Sequence, residues 1–81
     1  MKIEAFIANF AAQFEETDAS RITAETEFRK LDEWSSLTAL SIIAMADQEY
    51  DVKIKGEDIR NSISINDLYE IVKSRSKTNH V

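Results

Sequence analysis

Proline is absent from this chain of 81 residues, and glycine occurs once, at Gly56. A sheet of several strands needs tight turns built largely from those two residues, so a β-rich fold is disfavoured from the outset. Apolar residues recur instead at helical spacing in several segments. The expected fold class is all-α, a four-helix bundle with three main helices, one short helix and a long first loop.

Ile3, Phe6, Ile7, Phe10 and Phe14 share one face of a first helix expected over Lys2–Glu16. From Thr17 to Ser35 the periodicity fails. Thr17, Asp18, Ser20, Thr23 and Thr26 favour local turns there, while Ile22, Phe28 and Leu31 pin the segment down as a long ordered loop, a kind that is often functional. A second helix is expected from Ser35 or Ser36, either of which can cap it, to about Tyr50. Two apolar stripes run along it, with Ile42, Ile43, Ala46 and Tyr50 in one sector and Leu37, Leu40 and Ala44 in another. One of the two must meet solvent. A short turn is expected around Glu57 to Arg60. Ser64 and Asp67 then form a variant capping box for a last helix, which turns Ile65, Leu68, Tyr69 and Val72 inward and frays from Ser74. Residues 1–75 are expected to form one domain and 76–81 a polar tail. Lys73, Arg75 and Lys77 sit where a helix C-terminus favours positive charge, and the acid pairs Asp32-Glu33 and Glu57-Asp58 read as solvated surface.

Composition narrows the function classes. Asp and Glu number 15 against 10 Lys and Arg, giving a net charge of -5, so phosphate backbones are repelled and no nucleic-acid partner is expected. Proteins with basic patches fit better. There is no cysteine, hence no disulfide framework and no thiolate metal site, and a reducing, cytoplasmic location is expected. Met1 to Phe10 is amphipathic, unlike a signal peptide, and no run of about 20 apolar residues is present to span a membrane. One histidine, His80, with scattered acids offers no metal-ligand spacing. Ser36, His80 and Asp32 are residue types that nucleophilic catalysis uses, but His80 is the penultimate residue of the polar tail, so no enzyme activity is expected. A chain this short supports one modest core, and a monomer is expected.

The informative stretch runs Phe28-Arg-Lys-Leu-Asp-Glu-Trp-Ser-Ser-Leu37 and continues as Thr38-Ala-Leu-Ser-Ile-Ile-Ala-Met-Ala-Asp-Gln-Glu-Tyr-Asp-Val-Lys-Ile54. It resembles the acyl carrier proteins, whose prosthetic serine lies in an Asp-Ser-Leu motif at the start of the second helix. Counted from Ser36-Leu37, the aliphatic helix, its acidic end Glu49-Tyr50-Asp51 and the closing Ile54 fall in step with that family. Ser64-Ile-Asn-Asp-Leu-Tyr-Glu-Ile-Val72 is similar to its last helix. The resemblance covers Ile3 to Val72. It departs at Ser35, where the family usually has aspartate, and in a linker from Leu31 to Ser36 that is one residue longer than in fatty-acid carriers.

The resemblance implies that Ser36 bears a covalent phosphopantetheine arm, placed by a phosphopantetheinyl transferase from coenzyme A. The arm would carry acyl thioesters between acyl-transferring or synthase enzymes of fatty-acid, polyketide or related biosynthesis. It further implies partner docking through Leu37 and Leu40, aided by the carboxylates Asp47, Glu49 and Asp51. Thr38 and Ser41 stand where fatty-acid carriers commonly have acids, which suggests a dedicated pathway. With aspartate missing at Ser35, Asp32 and Glu33 are the nearby acids that can take over its role toward the transferase and its magnesium ion. Independently of any family, a serine at a helix N-terminus presents its hydroxyl outward, and a phosphodiester there lies in the field of unpaired N–H groups.

Plainer readings stay open beside these. Ser36 is also a possible N-cap, Leu37 and Leu40 a possible core stripe, and Trp34 either lines the path of the arm or packs on the core with its N–H on a carbonyl. Ala39 and Ala46 leave room either for an acyl chain or for close helix packing. The function alternatives are an unmodified adaptor or structural subunit of the same fold, and an aminoacyl or peptidyl carrier of the D-alanyl type.

Overall fold

The computed structural model describes residues 2–76. Four helices follow one another, α1 (Ile3–Ala11), α2 (Ser36–Tyr50), α3 (Gly56–Arg60) and α4 (Ile65–Arg75), and no strand occurs among the described residues. Single 3-10 turns at Ala19–Arg21 and Phe28–Lys30 punctuate the long connection between α1 and α2. α1 packs on α2 and α4, and α3 bridges α2 and α4. The expected all-helical bundle is what forms.

α1 is shorter than its periodicity predicts. It stops at Ala11, and the N–H groups of Gln13 and Phe14 turn back onto the carbonyls of Phe10 and Ala11 at 3.1 and 3.0 Å. Two interactions compete with further helix. Phe14 folds inward, its ring 5.6 Å from that of Phe10 and 6.4 Å from that of Trp34. The Glu33 carboxylate meanwhile accepts the N–H of Glu15 at 2.7 Å, of Glu16 at 3.1 Å and of Thr17 at 2.8 Å, and the Thr17 hydroxyl at 2.8 Å. Amides that a longer helix would satisfy internally are satisfied from across the loop. These bonds, led by the Glu15 amide, hold the Glu33 carboxyl below the usual carboxylate range. Glu33 is therefore a clasp, not the solvated surface acid that the sequence suggested.

The long connection is ordered by burial and by α4. Phe14, Ile22 and Phe28 are buried along it, and the Asp18 side chain caps the first 3-10 turn through the N–H of Ser20 at 3.0 Å. The first two N–H groups of α4, on Ile65 and Asn66, donate to the loop carbonyls of Thr26 at 3.1 Å and Ala24 at 2.9 Å. Donors orphaned at a helix start thus fasten the loop. The capping box completes that end, with Asp67 N–H donating to Ser64 Oγ at 3.3 Å and Ser64 N–H to Asp67 Oδ2 at 3.1 Å.

The core is dominated by rings. Phe6, Phe10 and Phe28 are fully buried with Ile42, Ile65, Leu68 and Val72 around them. Phe10 lies 6.2 Å from Phe6 and 5.4 Å from Phe28, Phe28 lies 5.1 Å from Trp34, and Phe6 meets Tyr50 at 5.8 Å and Tyr69 at 5.5 Å. Tilted and edge-on contacts at these spacings suit the ring quadrupoles.

α3 has five residues, too few to persist without tertiary support. Its Asp58 supplies that support. Arg75, at the end of α4, forks onto it through Nη1 at 2.7 Å and Nη2 at 2.9 Å, and Asp58 Oδ2 also accepts the N–H of Lys55 at 2.9 Å. Arg75 keeps the last turn of α4 helical past Ser74, where fraying was expected, and Ser76 just beyond is buried. Asp58 too departs from the expected solvated surface, being only 9% exposed. Lys77 and the rest of the expected tail lie outside the described residues.

The Arg75 hydrogen bonds, with the Lys55 amide, hold the Asp58 carboxyl below its ordinary range. A depressed native pKa contributes stability that is fully present above the unfolded value of about 4 and is lost as pH falls through the native one. Asp58→Asn is expected to lower the unfolding free energy by about 1–2 kcal/mol at pH 7, less than a fully buried pair because the Arg75 side reaches solvent. Urea midpoints of the two proteins should converge below about pH 3. Midpoints equally far apart at pH 7 and at low pH would contradict this role for Asp58.

Candidate functional site

The two serines at the start of α2 divide the work. Ser35 is the N-cap, extended at φ -155° and ψ 178°, and its Oγ accepts the N–H of Thr38 at 3.4 Å. Thr38 Oγ1 in turn donates to the carbonyl of Glu33 at 3.1 Å, which ties the start of the helix to the Glu33 clasp. Ser36 is the first helical residue, and its exposed hydroxyl makes no bond to the protein among the described residues. It is the free hydroxyl of the pair.

α2 resolves its two stripes plainly. Ile42, Met45 and Ala46 are buried, with Ile43 and Tyr50 half-buried, whereas Leu37 is 75% exposed and Leu40 60% exposed, and Ala44 is exposed as well. Leu37 and Leu40 are surface, not core. They flank Ser36 over the first turns of the helix.

The acids fall elsewhere. Asp47 lies about 16 Å and Glu49 about 20 Å along the helix axis from Ser36, taking 1.5 Å per residue. Asp47 accepts Lys53 Nζ at 2.8 Å. Glu49 lies on the α1 side of the helix with Asn9 and Gln13. Asp51 closes the helix in the left-handed region, φ 55°, its N–H donating to the carbonyl of Asp47 at 3.1 Å and the next N–H, of Val52, to that of Ala46 at 3.3 Å. Ser36, Leu37 and Leu40 are brought together; Asp47, Glu49 and Asp51 are grouped at the opposite end of α2.

Beside Ser36 an open groove of about 570 Å³ runs between α2 and α3. Trp34, Ala39, Leu40, Ile43 and Ile59 give it an apolar lining, with Ser35 and Ser36 at one edge. Trp34 packs on Phe28 and Phe14, as the core reading expected, and it also walls the groove. Its indole N–H finds no acceptor among the described residues. Ala39 opens the groove, while Ala46 is fully buried and serves packing.

Arg29 and Arg60 also line this groove, and sequence reasoning missed them. They are 31 positions apart, Arg29 on the 3-10 turn Phe28–Lys30 and Arg60 on α3, and only the tertiary fold places them on one site. The single glycine was a partial signal. A Cβ at Gly56 would come within 3.3 Å of Arg60 Nη1, so the glycine leaves space for that guanidinium over the first turn of α3.

No group of three His, Cys, Asp or Glu side chains able to hold a metal occurs among the described residues, and no helix there is long and apolar enough to cross a membrane. His80, the required base of a serine triad, lies outside the described residues. Of the two acids shortly before Ser35, Glu33 is committed to the amides of residues 15–17, which leaves Asp32 exposed and free. No family model, curated protein or solved structure matches the chain.

Ser35→Ala is expected to cost about 0.5–1 kcal/mol, the low end for a cap because its bond is long. Ser36→Ala and Leu40→Asp are each expected to stay within about 0.5 kcal/mol of wild type, as exposed positions do. Chemical denaturation of the three variants checks this. A large loss in Leu40→Asp would show that Leu40 is core.

Proposed function

We propose that this chain is an acyl carrier, in which Ser36 bears a phosphopantetheine arm and presents acyl thioesters to successive enzymes while catalysing nothing itself. The observation that carries the reading is the free, exposed Ser36 hydroxyl in the first turn of α2, with the neighbouring Ser35 taking the capping role. A hydroxyl spent on a cap would be a poor acceptor; Ser36 is not spent.

Loading follows simple chemistry. The Ser36 oxygen attacks the phosphorus of coenzyme A that bears the pantetheine; the bond to the other phosphate breaks and adenosine 3′,5′-bisphosphate leaves. The hydroxyl proton passes to a base of the transferase. The resulting phosphodiester sits at the start of α2, where the Ser36 and Leu37 N–H groups have no intrahelical partner and the helix dipole favours negative charge. The arm then supplies a thiol and a high effective concentration of cargo at each partner. Leu37 and Leu40, exposed beside Ser36, serve as the apolar contact for those partners. Asp47, Glu49 and Asp51, at the other end of α2, act as a separate, weaker electrostatic contact.

Incubation with coenzyme A, magnesium and a broad-specificity phosphopantetheinyl transferase, read by intact mass, tests the reading. Wild type and Ser35→Ala should gain one phosphopantetheine and Ser36→Ala none. No gain with several transferases would instead favour an unmodified adaptor of the same fold.

A further inference from the structure

The groove beside Ser36 has an unusual charge. Acids outnumber bases 15 to 10 in the chain, and three cations are paired, Lys30 with Glu27, Lys53 with Asp47 and Arg75 with Asp58. Arg29 and Arg60, like Lys2 and Arg21, make no hydrogen bond or ion pair among the described residues, and unlike those two they line the apolar groove beside Ser36, which carries no carboxylate in its lining. On an acidic protein two unpaired guanidiniums bordering an apolar channel mark a place for an anion with an apolar body.

We infer that the groove receives an acyl cargo whose free end is a carboxylate, its apolar body lying on Trp34, Ala39, Ile43 and Ile59 and its charge meeting Arg29 and Arg60. The inference rests on the carrier reading and narrows its cargo to hemithioesters of dicarboxylic acids with several methylenes. Charge counting separates the cargo from the arm. The phosphodiester carries one negative charge and already faces the open N–H groups at the start of α2, so two guanidiniums exceed what it requires. A simple alkyl cargo would gain nothing from either arginine.

Two experiments on the full chain test this, and the first needs no loading. Trp34, the only tryptophan, lines the groove and reports its occupancy by fluorescence. Octanoate is expected to bind the unmodified protein about tenfold more tightly than octylamine, and Arg29→Gln with Arg60→Gln should abolish that preference. Equal binding of the two probes, or a preference that survives in the double variant, overturns the inference whether or not Ser36 can be loaded. The second experiment transfers octanoyl or 7-carboxyheptanoyl phosphopantetheine from the matching coenzyme A thioesters onto Ser36. The dicarboxylate form should melt about 5 °C higher, and only in the presence of both arginines. Equal melting temperatures would overturn the inference. So would an arginine-dependent rise already complete in the arm-bearing protein without cargo, because the guanidiniums would then hold the phosphodiester. Failure of loading with carboxylate-selective binding intact would instead remove the carrier reading and leave an anion groove.

Discussion

Phe10 is the contact on which the rest of the molecule depends. Its buried ring touches Phe6 within α1, Phe14 at the turn that ends α1, and Phe28 in the long connection. Through Phe28 the chain of rings reaches Trp34, and through Phe6 it reaches Tyr50 and Tyr69 on α2 and α4. Every aromatic residue of the sequence, four Phe, two Tyr and one Trp, belongs to this one network. A small domain buries a limited fraction of its surface, so concentrating the largest apolar side chains in one cluster makes full use of the little that is buried. It also fixes Trp34, and with it one wall of the groove and the entry to α2.

Polar contacts then decide where the ring-pinned segments stop. Glu33 gathers the amides of Glu15, Glu16 and Thr17, and its own carbonyl receives the Thr38 hydroxyl, so one residue joins the end of the first helical segment to the start of α2. Asp58 and Arg75 perform the matching task on the other side, holding the short α3 against the end of α4. The groove lies between the parts these two contacts position. Its geometry is therefore a product of both, although neither carboxylate lines it.

Much of this was legible in the sequence wherever a signal was local. The missing prolines and single glycine, the stripe Ile42-Ala46 and the Ser64/Asp67 box correctly indicated helices, a core sector and a helix start. The end of α1 was not legible, because apolar spacing continues through Phe14 and the competing acceptor, Glu33, lies 18 residues further on from Glu15. Glu33 and Asp58 looked like solvated acids for the same reason: what buries or binds them comes from distant chain. Periodicity alone could not say which stripe of α2 faced water, and packing against α1 and α3 decided it in favour of exposing Leu37 and Leu40. Arg29 carries no local mark at all, and for Arg60 Gly56 is only a partial one. Only the bundle brings them to Ser36.

The functional reading joins three features of one corner of the molecule: a free hydroxyl, an apolar surface and a groove with unpaired cations. Each has another use in some protein, and their convergence is what favours a carrier with a tethered, charged cargo. The most direct measurement is peptide mass spectrometry of the chain as isolated from its native cell, read on the tryptic fragment Leu31–Lys53, which holds both serines. Phosphopantetheine on Ser36 is the expected result. A fragment found only unmodified, or modified on Ser35, would contradict the account.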